Sequence, residues 1–295
     1  MQGKVVAITG SGSGLGREGA LRFAAEGARV VVSDSVHGRA QRVAAQITEA
    51  GGEAVGIDVD VREESDVERL LATALDSFGR IDVAWANAGI PEPGFGSKGF
   101  VDSKLADWMN IFSVNTTGIY LVFREAARYM IPQGGGALLA TTSAASFVAY
   151  PGFPMYVASK AAANGLVRAA SLELGKYGIR VNGLAPFHGM SINFALPPEA
   201  EVTGKSYEEM SPWDPESRAM PLRLDRPPRL ADNANLALFL ASDEAEYMSG
   251  QVIGSVDGGT QARVAIIFPT DLGADSLTEG VLPDDIVQQI ASRAD

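Results

Sequence analysis

Tyr156 and Lys160 stand four residues apart in the stretch Tyr156-Val157-Ala158-Ser159-Lys160. Side chains at that spacing lie on one face of a helix, one above the other. A phenol and an ammonium held this way form an acid/base pair, because the positive charge favours the phenolate and lowers the tyrosine pKa from ~10 toward working pH. The pair alone is common. It gains meaning from three features that precede it in order: a glycine-rich turn near the N-terminus, Asn115 and Ser143.

The turn is Thr9-Gly10-Ser11-Gly12-Ser13-Gly14-Leu15-Gly16, between a short apolar run and a helical pattern. Without β-carbons, backbone N–H groups can approach a pyrophosphate, and the N-terminus of the following helix adds positive potential. Gly10, Ser13, Gly14, Leu15 and Gly16 are therefore expected to contact a dinucleotide. A second glycine register, Gly14-Leu15-Gly16-Arg17-Glu18-Gly19, begins deeper, inside the helix. Asp34 ends the next apolar run, eighteen residues past Gly16. A carboxylate there accepts hydrogen bonds from the ribose hydroxyls of adenosine and repels a 2′-phosphate, which favours NAD over NADP. Arg17 and Arg39 are near enough in sequence to soften that preference by reaching a phosphate. Asp60 and Val61 follow a third run. They are expected at the adenine edge, with a plain helix-start role for Asp60 as the alternative.

Positioning these groups requires strands that alternate with helices. Strands are expected at Val5–Thr9, Arg29–Ser33, Ala54–Asp58, Ile81–Ala86, Ala137–Thr142, Arg180–Ala185 and Val252–Val256. Helices are expected at Gly16–Glu26, Arg39–Ala50, Glu64–Phe78, Leu105–Met130, Tyr156–Lys176 and Leu230–Leu240. Such alternation implies an α/β Rossmann-type fold, a doubly wound parallel sheet of about seven strands with helices on both faces. Ligands of such sheets bind outside the carboxyl ends of the strands. The glycines, Asp34, Asp60, Asn87, Ser143 and Pro186 all fall there.

One stretch breaks the pattern. Ser191–Arg229 holds seven of the fifteen prolines, with Phe194, Tyr207 and Trp213 among acids. Its place beyond a strand's carboxyl end suggests a lid over the site, the alternative being a surface excursion. The chain thus divides into one Rossmann-type domain at 1–261, with the lid at about 191–229, and a C-terminal extension at 262–295.

Composition narrows the classes. There is no cysteine, which removes disulfides, Cys-based metal sites and Cys nucleophiles, and two histidines are too few for a His-cluster zinc site. No metal is expected. A formal charge of −12 disfavours nucleic acid. The apolar part of the N-terminus is too short for a signal peptide, and no apolar run approaches the ~20 residues of a membrane span, so a cytoplasmic protein is expected. The segment from Pro269 to Asp295 carries six acids and one base and reads as a solvated tail.

Taken together, these residues resemble the short-chain dehydrogenase/reductase family over about residues 3 to 260. The likeness rests on Thr9–Gly16, Ala86-Asn87-Ala88-Gly89, Asn115, Ser143, Tyr156-x-x-x-Lys160, Pro186 and Val256-Asp257-Gly258-Gly259. Two departures stand out. Ala86 replaces the first Asn of the family's Asn-Asn-Ala-Gly, which leaves one hydrogen bond near the fourth strand missing or replaced. Phe187 replaces a Gly after Pro186, and Ser191 occupies a usual Thr position. The resemblance implies NAD binding that also involves Asn87, Ala88, Gly89, Tyr156, Lys160, Pro186, Gly189 and Ser191, and assembly as a homotetramer or homodimer.

It also implies a mechanism. Tyr156 would act as general acid in carbonyl reduction and as base in alcohol oxidation. Lys160 would lower its pKa and hold the nicotinamide ribose hydroxyls, Ser143 would polarise the substrate oxygen, and Asn115 would join a water relay feeding Lys160. Duller roles exist for each: strand-end polarity for Ser143, a local backbone bond for Asn115, a satisfied loop residue for His188. Phe147, Tyr150, Phe153, Phe194 and Trp213 suit an apolar ring, and Gly189-Met190 faintly resembles the Gly-Met of cis-dihydrodiol dehydrogenases. The expected substrate is a cyclic or aromatic secondary alcohol or diol, or its ketone. The rival readings are a nucleotide-sugar epimerase or dehydratase, disfavoured by the turn spacing, and a non-catalytic NAD-binding scaffold or redox sensor.

Overall fold

The strands are short and their side chains alternate between two cores. In β1 (Val5–Ile8), Val5 and Ala7 face one layer while Val6 and Ile8 face the other, as a period of two requires. The computed structural model describes residues 1–93, 100–149, 151–197, 200–215, 222 and 224–254. The sequence features at Tyr150, Val256–Gly259 and 262–295 lie outside these residues.

Six further strands join β1: β2 (Arg29–Asp34), β3 (Glu53–Asp58), β4 (Val83–Ala86), β5 (Gly136–Thr141), β6 (Ile179–Ala185) and β7 (Val252–Gly254). All pairings are parallel, in the order β3-β2-β1-β4-β5-β6-β7. β1 is flanked by β2 on one side and β4 on the other, so the strand order reverses at β1 and opens a crevice beyond the carboxyl ends of β1 and β4.

One face is covered by α1 (Gly14–Ala25), α2 (Arg39–Glu49) and α7 (Leu230–Ala241), which bury Phe23, Val43, Ile47, Ala237 and Leu240. The other is covered by α3 (Glu64–Phe78), α5 (Gly118–Gln133) and α6 (Pro154–Leu174), through Leu70, Leu71, Val122, Ala126, Ala163 and Val167. Observed ends mostly fall within two residues of those expected.

The expected helix Leu105–Met130 is one exception. It is divided into α4 (Leu105–Phe112), a π turn (Ser113–Thr117) and α5. Side-chain bonds pin the turn, since Asn115 reaches Ile90 and Thr116 Oγ1 donates to the Ser159 carbonyl at 3.0 Å. Hydrophobic periodicity runs on through one widened turn, so the sequence reads as unbroken. The 191–229 stretch is also less irregular than expected. It carries 3-10 turns at Ile192–Phe194 and Glu208–Met210 and an antiparallel bridge between Ser191 and Ser206. Asn193 organises it by donating to the Glu201 carbonyl and accepting from the Thr203 N–H.

Candidate active site

A cavity of about 770 Å³ occupies the crevice. Its wall runs from Asp34 and Arg39, past Gly10, Ser13, Gly14 and Leu15, to Asn87, Ala88, Gly89, Tyr156 and Lys160, and is closed by Met190, Ser191 and Phe194. Asp60 and Val61 line it beside Asp34. Gly16, Asn115, Ser143, Pro186 and Gly189 do not line it, and the structure gives each a supporting contact instead.

The glycine turn is built for close approach. Gly10 has φ +62°, and a β-carbon there would sit 2.8 Å from the Ala88 backbone. At Gly16 a β-carbon would lie 2.3 Å from the Gly10 carbonyl oxygen. Gly19, from the deeper register, packs instead on the Trp85 ring, 2.2 Å from a hypothetical β-carbon. That register therefore serves helix–sheet packing. Gly14 faces Ser191, so the 186–191 loop closes over the turn.

Asp34 is buried at the end of β2. Its carboxylate accepts from the Gly12 N–H at 3.0 Å and the Val36 N–H at 2.9 Å. Burial holds its carboxyl above the usual carboxylate range, against the pull of those two bonds and the Arg39 charge. Each oxygen retains a second lone pair for hydroxyl donors. Arg17 is turned away, donating to Gln46 at 2.8 Å, whereas Arg39 lines the cavity and donates to the Ala200 carbonyl. The Asp60 carboxylate is held by Arg62, whose hydrogen bonds keep it below the usual range. An adenine amino group would compete with that guanidinium.

Lys160 is buried, and its Nζ donates to the Thr141 carbonyl at 2.9 Å. Burial pushes its pKa down to about 8. The ammonium lies 5.7 Å from the Tyr156 ring centre. The Phe194 ring meets Tyr156 edge-on from the opposite segment at 5.8 Å. Gly89 gives Lys160 its room: a β-carbon there would meet Nζ at 3.2 Å and Asn115 Oδ1 at 3.4 Å.

Asn115 is fully buried, and both ends of its amide are used. Oδ1 accepts from the Ile90 N–H at 2.8 Å, and Nδ2 donates to the Ile90 carbonyl at 3.0 Å and to Ser159 Oγ at 3.1 Å. This is the local-backbone alternative for its side chain. The Ser143 hydroxyl oxygen accepts from the Ala145 N–H at 3.1 Å, which leaves its O–H donor for another acceptor. His188 Nδ1 pairs with Glu208 at 3.0 Å, but its Nε2 is buried without a hydrogen-bond partner, so the ring is only half satisfied.

Three functional features escaped sequence reasoning. Of the two outcomes expected at Ala86, a missing or a replaced bond, the structure has the second, through a relay: the Trp85 indole N–H donates to Thr141 Oγ1, which donates to Asn87 Oδ1, each at 2.9 Å. Asn87 Nδ2 then donates to the Thr9 and Gly10 carbonyls, so its side chain braces the glycine turn. Thr9 Oγ1 accepts from the N–H groups of Asn87 and Ala88. Glu92 is buried in the cavity wall and accepts from the first turn of α6. A buried Trp needs an acceptor, which was the available clue to the relay.

The sequence profile described as "short chain dehydrogenase" matches residues 4–189. The chain belongs to the short chain dehydrogenase family. It is an oxidoreductase acting on CH–OH groups with a nicotinamide cofactor. Among similar proteins is the (21S)-21-acetoxyl-apo-melianone synthase SDR of Melia azedarach, 37% identical over 94% of this chain and 95% of that one. The 2,5-dichloro-2,5-cyclohexadiene-1,4-diol dehydrogenase LinX of Sphingobium indicum is 36% identical over 90% of this chain and 98% of its own. A solved structure of 7 alpha-hydroxysteroid dehydrogenase, complexed with NADH and 7-oxo glycochenodeoxycholic acid, superposes with a TM-score of 0.74. It is 33% identical and covers 88% of this chain and 94% of that one. No helix among the described residues of this dehydrogenase is long and apolar enough to cross a membrane.

Proposed function

We propose that this dehydrogenase uses NAD to interconvert a cyclic or aromatic secondary alcohol, or a cis-dihydrodiol, with its ketone. The observation that carries the reading is the single cavity joining the buried Asp34 carboxylate to the Tyr156–Lys160 pair. The glycine turn, where β-carbons would collide with backbone, fits a pyrophosphate, and Asp34 fits an unphosphorylated ribose. When bound, the nicotinamide supplies the hydride chemistry. Tyr156 would exchange the proton with the substrate oxygen, and Ser143 would donate a hydrogen bond to it. Lys160 would hold positive charge beside the phenol and bond the ribose hydroxyls, and Asn115 would support it through a water relay.

Phe194 against Tyr156 supports an apolar ring as substrate. The ring substrates in the names of the LinX and hydroxysteroid relatives point the same way. Exposed Phe100, Val101, Leu105 and Met109, at and just before α4, support assembly into a homodimer or homotetramer. Residues 191–229 would act as the lid, and the enzyme would work in the cytoplasm.

The reading is tested by NADH formation over cholate, menthol, cis-dihydrobenzenediol and glucose; turnover of glucose alone would contradict it. Asp34→Ala is expected to narrow the preference for NAD over NADP by about 10- to 100-fold in kcat/KM. An unchanged ratio would remove the ribose contact.

A further inference from the structure

α6 begins without a local cap. Phe153, the preceding residue, makes no side-chain bond to the helix, and Pro154 at the first position has no N–H. Val157 N–H donates to the Phe153 carbonyl at 2.9 Å and starts the helical ladder. The N–H groups of Met155 and Tyr156, in the first turn, have no partner within the helix. Both point at one carboxylate, 63 and 64 positions earlier in the chain. Glu92 Oε2 accepts from Tyr156 N–H at 2.8 Å, and Oε1 accepts from Met155 N–H at 3.4 Å.

That carboxylate is only 3% exposed, in a cavity wall that also holds Tyr156. Pro91 and Pro93 flank it. Pro91 fixes its own φ, and Pro93 restricts Glu92 to extended backbone, so the carboxylate stands on a stiff support. The same loop is pinned twice more, at Asn87 to the glycine turn and at Ile90 to Asn115, which also reaches Ser159 of α6. A negative charge at a helix N-terminus is also favoured by the helix dipole.

We propose that Glu92 is a positioning residue for Tyr156. It caps the catalytic helix from the loop after β4 and sets where the phenol stands in the cavity wall. It does so through the backbone N–H of the residue that carries the phenol, without touching the reacting atoms. This rests on the proton-transfer role given to Tyr156 above.

The test compares the full chain with Glu92→Ala and Glu92→Gln. It uses the fastest of cholate, menthol and cis-dihydrobenzenediol, with NAD affinity read by fluorescence titration. Misplacing a reacting group by about 1 Å costs on the order of 100-fold in rate. Glu92→Ala is therefore expected to lower kcat about 10- to 100-fold, with KM and the NAD Kd within about twofold. Glu92→Gln keeps an acceptor for the Tyr156 amide and is expected to fall between alanine and wild type. Hydrogen exchange at the start of α6 is expected to quicken in the alanine variant.

A wild-type kcat in Glu92→Ala, a raised KM alone, or a loss shared equally by NAD binding would overturn the proposal. Should the alanine variant fail to fold, Glu92→Gln decides: lowered kcat with unchanged NAD affinity supports positioning, and wild-type kcat refutes it. Full activity in Tyr156→Phe would instead remove the functional reading itself, whatever the Glu92 variants do.

Discussion

Tyr156→Phe is expected to lower kcat by about 10²- to 10⁴-fold, the usual contribution of a positioned acid/base group, while NAD binds as before. The change deletes one oxygen and keeps the ring. The edge-on packing on Phe194 and the backbone bond to Glu92 therefore persist. Asp34 ends β2, whereas α6, which carries the phenol, packs on β6 on the other side of β1, which is why affinity for the dinucleotide should hold. The pair of measurements is kcat for a ring alcohol and the NAD Kd by titration. A fall in both together would mean a disturbed fold, and no fall in kcat would take the proton away from Tyr156.

Lys160→Met is expected to do two opposite things: abolish turnover and stabilise the unliganded protein at neutral pH. The ammonium is fully buried with a carbonyl, not a carboxylate, as its hydrogen-bond partner. Burial moves its pKa from the ordinary 10.5 down to about 8. In the unfolded chain the amine stays protonated up to the higher value. Between the two values the unfolded state binds more protons, so stability rises with pH through that window. Below about pH 8 the penalty for the buried charge is fully present. At about 1.4 kcal/mol per pH unit, it amounts to on the order of 3 kcal/mol. Methionine fills similar space without charge, so the variant is expected to be more stable by up to about that amount at pH 7. The advantage should vanish near pH 10.5, the ordinary lysine value, in denaturant titrations of the unliganded protein. A variant less stable at pH 7, or a gap independent of pH, would contradict this. Positive charge beside the phenol is thus maintained at a cost in stability, as expected of a site selected for chemistry.

Much of this site was legible in one dimension because its chemistry is written in short spacings. Tyr156 and Lys160 are one helical turn apart, Gly10 to Gly16 form one turn, and Asp34 ends the next strand. The strand–helix alternation gave the sheet for the same reason: period and punctuation are local. What escaped is what depends on reach between distant segments. The Glu92 carboxylate meets Tyr156 only after the loop beyond β4 is folded against the start of α6. The Trp85–Thr141–Asn87 relay joins two neighbouring strands through side chains whose hydrogen bonds no periodicity records. The π turn at Ser113–Thr117 was hidden because apolar spacing tolerates one widened turn. Ser143 and Asn115 could be picked out by spacing, yet the contacts that hold them are a turn cap and the Ile90 backbone. The roles proposed for them rest on the O–H that Ser143 keeps and on the place of Asn115 beside Lys160.

The most direct test of the central claim is NADH formation by the purified chain with NAD and a ring alcohol, run beside Tyr156→Phe. The account predicts reduction of NAD with at least one of cholate, menthol and cis-dihydrobenzenediol, lost in the variant. Tight NAD binding with no reduction by any of these ring alcohols, or equal rates in both proteins, would contradict it.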